Sequence, residues 1–267
     1  MPDIDGSFIT RAAAAASLLI VLASPVSAQQ PAEQAQTPGF FTRYDFHLNA
    51  EALSSDDPRF KWDTHFGGDL DLVDYGLGRA GVLVDYEAVL GNEYRPFDPN
   101  QGNYTLETFG SVRGKHLEFI GAFHHVSRHI SDRPKRFAVA WNTVDARVLS
   151  HWPLGAATLD VNLNIATVVQ NSYVDYKWIG GAAIAIRRPV SPKASVFVTG
   201  TGQAIGVDGS VPQRSTQTGG RIEGGVHLGG KAGAIELFAG YEKRVDADPL
   251  DFLPQRWAVA GFRLLNR

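Results

Sequence analysis

The chain has no cysteine among its 267 residues, which excludes a disulfide framework and any thiolate-held metal, so the compartment must be read from other features. It lacks an excess of charge of either sign: 25 Lys and Arg against 28 Asp and Glu leave −3 at pH 7, a balance that gives no reason to expect nucleic acid. It also lacks, beyond its N-terminus, any apolar run approaching the roughly 20 residues of a transmembrane helix. A chain like this can cross a membrane only as a closed barrel, because only helices and closed barrels satisfy the backbone in lipid. No low-complexity domain and no second composition regime interrupts it, and a hydrophobic fraction of 44% admits a soluble domain as readily as a barrel.

The N-terminus supplies the compartment. Arg11 precedes the apolar run Ala12 to Ala23, and Val26-Ser27-Ala28 follows as a small-residue cleavage pattern, so residues 1–28 read as a secretory signal peptide. Asp3 and Asp5 make the leading region less basic than is usual. A flexible polar lead occupies 29–38, and a single domain is expected over 39–267.

That domain alternates strictly. Arg43, Asp45, His47, Asn49 and Glu51 interleave with Tyr44, Phe46, Leu48, Ala50 and Ala52, and Asp160, Asn162 and Asn164 with Leu159, Val161, Leu163 and Ile165. A period of two is the signature of a strand with one polar and one apolar face. About twelve such segments follow one another, near 41–54, 59–73, 79–91, 104–114, 116–131, 136–149, 156–170, 173–187, 193–206, 219–229, 233–245 and 256–265, an even number as a bacterial barrel needs. Long connections at 91–103, 206–219 and 245–255 would face outward and short turns such as 113–115 and 229–233 the periplasm. The predicted fold is an all-β, antiparallel transmembrane β-barrel; a soluble antiparallel barrel or sandwich is the alternative, with its apolar face turned inward. Inward charges of both signs predict a lumen filled by mutual pairing rather than an open channel. Trp62, Trp178 and Trp257 are expected as interface anchors.

Within this pattern one segment places polar groups on the apolar side. In Phe123-His124-His125-Val126-Ser127-Arg128-His129, residues Leu117, Phe119, Phe123, His125 and Ser127 share one face, and Glu118, His124 and Arg128 the other. Polar side chains facing lipid are costly unless they have partners or a task. If Ser131 pairs with Arg136, antiparallel register sets His125 opposite Asn142 with Cβ atoms roughly 5 Å apart. Ser127 as nucleophile, His125 as general base and Asn142 as orienter of the imidazole would support acyl transfer. A zinc site is not expected, since His125 and His129 stand roughly 13 Å apart along a strand and His124 faces the other way. His129 and Arg133 are candidates for binding lipid phosphate.

At these residues, His-x-Ser-x-x-x-Ser-Asp over His125 to Asp132 followed by Trp141-Asn142, the chain resembles outer-membrane phospholipase A, with a slightly longer interval between the Ser and the Asn. The resemblance implies a twelve-stranded barrel hydrolysing phospholipid acyl esters through a lipid-facing Ser-His-Asn triad of Ser127, His125 and Asn142. It implies calcium near the oxyanion, with Asp132 the candidate ligand or, equally, a turn residue. His-x-Ser-x-His-x-x-Asp is also similar to a strand of uncharacterised outer-membrane barrels, and lipid A deacylases resemble shorter barrels with a His-x-Ser strand. The expectation is a bacterial outer-membrane protein after signal-peptide cleavage, a candidate phospholipase A-type serine hydrolase. The alternative is a non-catalytic barrel, either a narrow pore or a structural envelope protein. Expected partners are membrane lipids, the outer-membrane assembly machinery and, as one oligomeric form, a second copy in a homodimer.

Overall fold

The structure, a computed structural model, describes residues 37–131 and 137–266; the expected signal peptide at 1–28, most of the lead at 29–38, and Asp132 and Arg133 lie outside the described residues. Twelve strands follow in order: β1 (Gly39–Leu53), β2 (Trp62–Asp74), β3 (Arg79–Gly91), β4 (Asp98–Arg113), β5 (Leu117–Ile130), β6 (Val139–Leu154), β7 (Ala157–Ser172), β8 (Tyr176–Ser191), β9 (Ala194–Val207), β10 (Gln217–Gly229), β11 (Ala234–Asp248) and β12 (Leu253–Leu265). Each pairs antiparallel with its sequence neighbour, and β1 pairs with β12 from His47↔Leu265 to Leu53↔Val259, so the sheet closes and leaves no edge.

The alternation decides which face goes where. Phe46, Phe66, Leu106, Phe119, Val144, Ile165, Ile222 and Leu237 are exposed on the outer wall, while Glu51, Asp63, Arg79, Glu118, Arg147 and Glu242 are buried inside. This is the reverse of a soluble barrel or sandwich and removes that alternative; the apolar wall is the surface hydrocarbon would cover.

The lumen is filled. Arg79 donates from Nε to Glu118 and from Nη1 to Asp71, both at 2.8 Å. Arg147 holds Glu107, and Arg263 bridges Glu236 (2.7 Å) and Glu223 (3.1 Å). Arg221 grips both oxygens of Glu51 at 2.6 Å from β10 to β1, and Arg244 joins β11 to Asp63 of β2 (2.5 Å) and Glu87 of β3 (2.8 Å). A charge buried in a bore this narrow stays ionised only if it is paired and hydrogen-bonded.

The long connections 54–61, 92–97 and 208–216 gather at one end of the barrel, with 173–175 and 249–252 between them; the turns at 75–78, 114–116, 155–156, 192–193 and 230–233 form the other. Two connections are shorter than the sequence suggests. Residues 98–103 join β4 because Gln101 and Asn103 point inward and find partners there: Gln101 Nε2 donates to the Ala247 carbonyl at 2.7 Å and Asn103 Nδ2 to Glu87 at 2.5 Å. Likewise β11 runs on to Asp248.

Trp257 corrects an expectation. It is buried inside, packed on Phe60 at 5.6 Å between ring centroids, beneath the Arg244 guanidinium and donating to Glu242 at 3.3 Å. With Leu53, Val89, Ala247 and Val259 these two rings make an apolar plug under the long-loop end. Trp178 does lie on the outer wall. Its indole covers the backbone of Gly206, where an added Cβ would collide with the indole nitrogen.

Candidate active site

β5 and β6 pair without interruption from Leu117↔Ser150 to Arg128↔Val139, which sets His125 opposite Asn142 and Ser127 opposite Ala140. On the other side of β5, His125 faces Leu106 and Ser127 faces Tyr104 of β4. The odd-numbered residues of β5 look outward, with Phe119 and Phe123 exposed, while Glu118 and Arg128 are buried in the lumen. His125, Ser127 and His129 therefore stand together on the apolar wall near the long-loop end. His124 is on the inner side, bonded to Glu107 at 3.0 Å. The three histidines of the segment do not converge on one point.

His125 Nδ1 lies 2.6 Å from Asn142 Oδ1. An amide oxygen only accepts, so Nδ1 carries the proton and donates it, leaving Nε2 with a free lone pair: the tautomer a general base needs. Asn142 in turn donates from Nδ2 to Gln170 Oε1 at 2.9 Å. Leu106, His125, Asn142 and Gln170 thus form one row across β4, β5, β6 and β7, with a continuous chain of bonds through its three polar members.

Gln170 is absent from the sequence reading because of a bulge. The β6–β7 ladder runs Thr143↔Val168 and then Asn142↔Gln170, so Val169 is an extra residue on β7. One inserted residue reverses the facing of everything beyond it. Counting in twos from Leu163 and Ile165, both exposed outward, puts Gln170 in the lumen; the bulge returns it to the outer wall beside Asn142.

The serine is held differently. Ser127 Oγ pairs with His129 Nε2 at 3.2 Å, and among the described residues no hydrogen bond joins it to His125. His129 stands edge-on to Tyr104, 5.2 Å between centroids, and that ring continues a file through Tyr86 (4.9 Å) to Phe66 (5.4 Å). His129, in the sequence a candidate for lipid phosphate, lies on β5 against an aromatic ring and touches the hydroxyl.

No family model and no curated protein matches the sequence. Solved structures do match in shape. Outer membrane phospholipase A from Escherichia coli superposes with a TM-score of 0.53 over 84% of this chain and 92% of that one, at 12% identity. The Salmonella typhi outer membrane phospholipase, solved as a dimer with bound calcium, gives 0.51 over 84% and 90%, also at 12% identity. The chain resembles outer-membrane phospholipase A in its fold. At such low identity the likeness is one of architecture, and the residues of the outer wall must speak for the chemistry.

Proposed function

We propose that this protein is a bacterial outer-membrane barrel, exported by cleavage of 1–28, that hydrolyses acyl esters of membrane phospholipids from its lipid-facing wall. The observation that carries the reading is the 2.6 Å contact between His125 Nδ1 and Asn142 Oδ1 on an otherwise apolar surface, two residues along the strand from a serine on the same face. A buried or lipid-facing imidazole aligned by an amide, with its other nitrogen open, has the form of a general base.

In this reaction the Ser127 hydroxyl swings from His129 to His125, a rotation about χ1 of the kind apo sites commonly need. Nε2 takes the proton as Oγ attacks the ester carbonyl, and the imidazolium returns it to the departing lysolipid oxygen as the C–O bond breaks. Water, deprotonated by the same imidazole, then releases the fatty acid and restores Ser127. Asn142 keeps the ring in place without adding charge, and Gln170 keeps Asn142 in place. The partners on this reading are membrane lipids, a second copy of the chain, and the machinery that inserts barrels.

Calcium requires six or more oxygen ligands, usually with carboxylates among them. Ser127 faces Tyr104 and Ala140 across the ladders and its hydroxyl bonds His129, none of which is a carboxylate, and Asp132 lies outside the described residues.

The pairing of Ser127 with His129 favours a second reading, a non-catalytic structural barrel whose outer polar groups satisfy one another. Fatty-acid release from phosphatidylcholine in mixed detergent micelles, with calcium and with chelator, separates the two. Hydrolysis lost in Ser127→Ala is the expected result. Wild-type protein inert under both conditions, or hydrolysis unaltered by the substitution, removes the enzyme reading.

A further inference from the structure

The lumen contains a histidine cluster that the proposed hydrolysis does not use, although Arg244 ties its two carboxylates into the barrel. Asp63 and His65 on β2 and Glu87 on β3 face inward, and each offers a ligand atom within 4.8 Å of the others. His65 Nε2 is 3.5 Å from Asp63 Oδ1 and 3.8 Å from Glu87 Oε1. Ligand atoms bound at about 2.1 Å to a tetrahedral ion stand about 3.4 Å apart. The spacing is already near what such an ion imposes.

Two further observations point the same way. The Asp63 side chain is 1% exposed, and its Oδ1 accepts no hydrogen bond, the His65 ring standing 3.5 Å away; a buried carboxylate oxygen held this loosely is expensive and has room for a closer cation. His65 is also oriented from behind, its Nδ1 lying 2.8 Å from Asp85 Oδ2, while Asp85 Oδ1 meets His47 Nε2 at 2.8 Å. A carboxylate behind one ring nitrogen, with the other nitrogen aimed at two oxygens, is the outer support that metal-binding histidines use. The side chains of His65 and Glu87 are each 18% exposed, against 1% for Asp63.

The neighbouring cluster of Glu107, His124 and Asp145 makes the contrast. There the histidine spends Nδ1 on Glu107, Arg147 engages both Glu107 oxygens, and Asp145 accepts from Thr143 and Arg147. Its ligand atoms are taken, whereas in the first cluster Asp63 Oδ1 has no hydrogen bond, although Glu87 is held at Oε1 by Arg244 and at Oε2 by Asn103.

We propose that Asp63, His65 and Glu87 form a binding site in the lumen for a divalent transition ion of the zinc type. One imidazole and two carboxylates suit such an ion better than magnesium or calcium, which prefer oxygen throughout. To admit it, Glu87 Oε1 gives up Arg244 Nη1, now at 2.8 Å, while Arg244 keeps Asp63 Oδ2 at 2.5 Å and Glu242 at 2.8 Å. Asp63 contributes the oxygen that lacks a donor.

The test uses untagged, refolded full-length barrel, exposed to zinc chloride and dialysed, with retained metal measured by mass spectrometry. Wild type should keep a single zinc ion per chain, His65→Gln should lose it, and His124→Gln should keep it. Zinc-edge X-ray absorption on the wild type should show one imidazole among otherwise oxygen ligands, a readout that does not depend on any variant folding. Wild type that retains no zinc, retention that survives His65→Gln or disappears in His124→Gln, or a spectrum without imidazole would each overturn the proposal.

Discussion

The inner and outer walls of this barrel both carry polar groups, and they treat them in opposite ways. Inside, most of the described arginines reach two or three carboxylates, as Arg79 does between Asp71 and Glu118. Outside, one short row of His125, Asn142 and Gln170 stands on a greasy surface, with a serine beside it whose hydroxyl is bound at 3.2 Å to a neighbouring histidine. Paired groups with nothing left to offer are structural. A group with a spare lone pair, held in position by others, is available for chemistry.

The sharpest way to break this contrast is at the serine. Ser127→Ala is expected to lower phospholipid hydrolysis by about 10⁵-fold while leaving the urea unfolding midpoint unchanged, since the hydroxyl supports nothing in the sheet. A variant that loses stability instead would place Ser127 with the structural groups. The converse substitution is Arg79→Met, which takes the guanidinium from the buried Glu118 carboxylate and leaves Asp71 with Arg43 alone. It should cost about 3–5 kcal/mol of stability, read from urea unfolding in lipid vesicles, with hydrolysis per folded molecule preserved.

Gln170 tests whether the outer row acts as a unit. Gln170→Ala removes one hydrogen bond from the far end and should reduce kcat about fivefold, the equivalent of the ~1 kcal/mol scale of such a bond, with KM unchanged; Gln170→Glu, which still accepts from Asn142, should restore most of the rate. Equal activity in all three proteins would show that Asn142 needs no support. The smallest effect is expected in the connection 54–61, where hydrogen bonds from Arg59 hold the Asp57 carboxyl below its ordinary value. A depressed folded pKa stabilises the native state above the unfolded pKa, near 4, and the benefit disappears as pH falls through the folded value. Asp57→Asn should therefore be less stable than wild type by under about 1 kcal/mol at neutral pH, and the two unfolding curves should converge in acid.

Most of the architecture was legible in the sequence because a period of two carries its own meaning. Arg43, His47 and Glu51 against Tyr44, Phe46 and Leu48 already state which side is wet, and the same parity set His125 opposite Asn142 once the hairpin was fixed. The misreadings have local causes. Trp257 shares its face with Gln255 and Arg263, so strand parity places it inside, and a rule about tryptophans at interfaces led away from it. The stretch 98–103, with its proline, glycine and asparagines, looks like loop until β5 and the end of β11 provide partners for its side chains. Gln170 was out of reach, because a single extra residue at Val169 shows in no composition or spacing and appears only when two ladders are compared.

The ties across the bore have a consequence for how such a cylinder forms and fails. Arg221 reaches from β10 to Glu51 on β1, and Arg244 from β11 to β2 and β3, so the two ends of the chain are joined by links that bypass the β1–β12 seam. Gln101 and Arg128 tie β4 and β5 to the backbone of β11 in the same manner. Once the last hairpins have swung into place, the seam cannot unzip by itself, since parting the first and last strands also means pulling these spokes out of the hub.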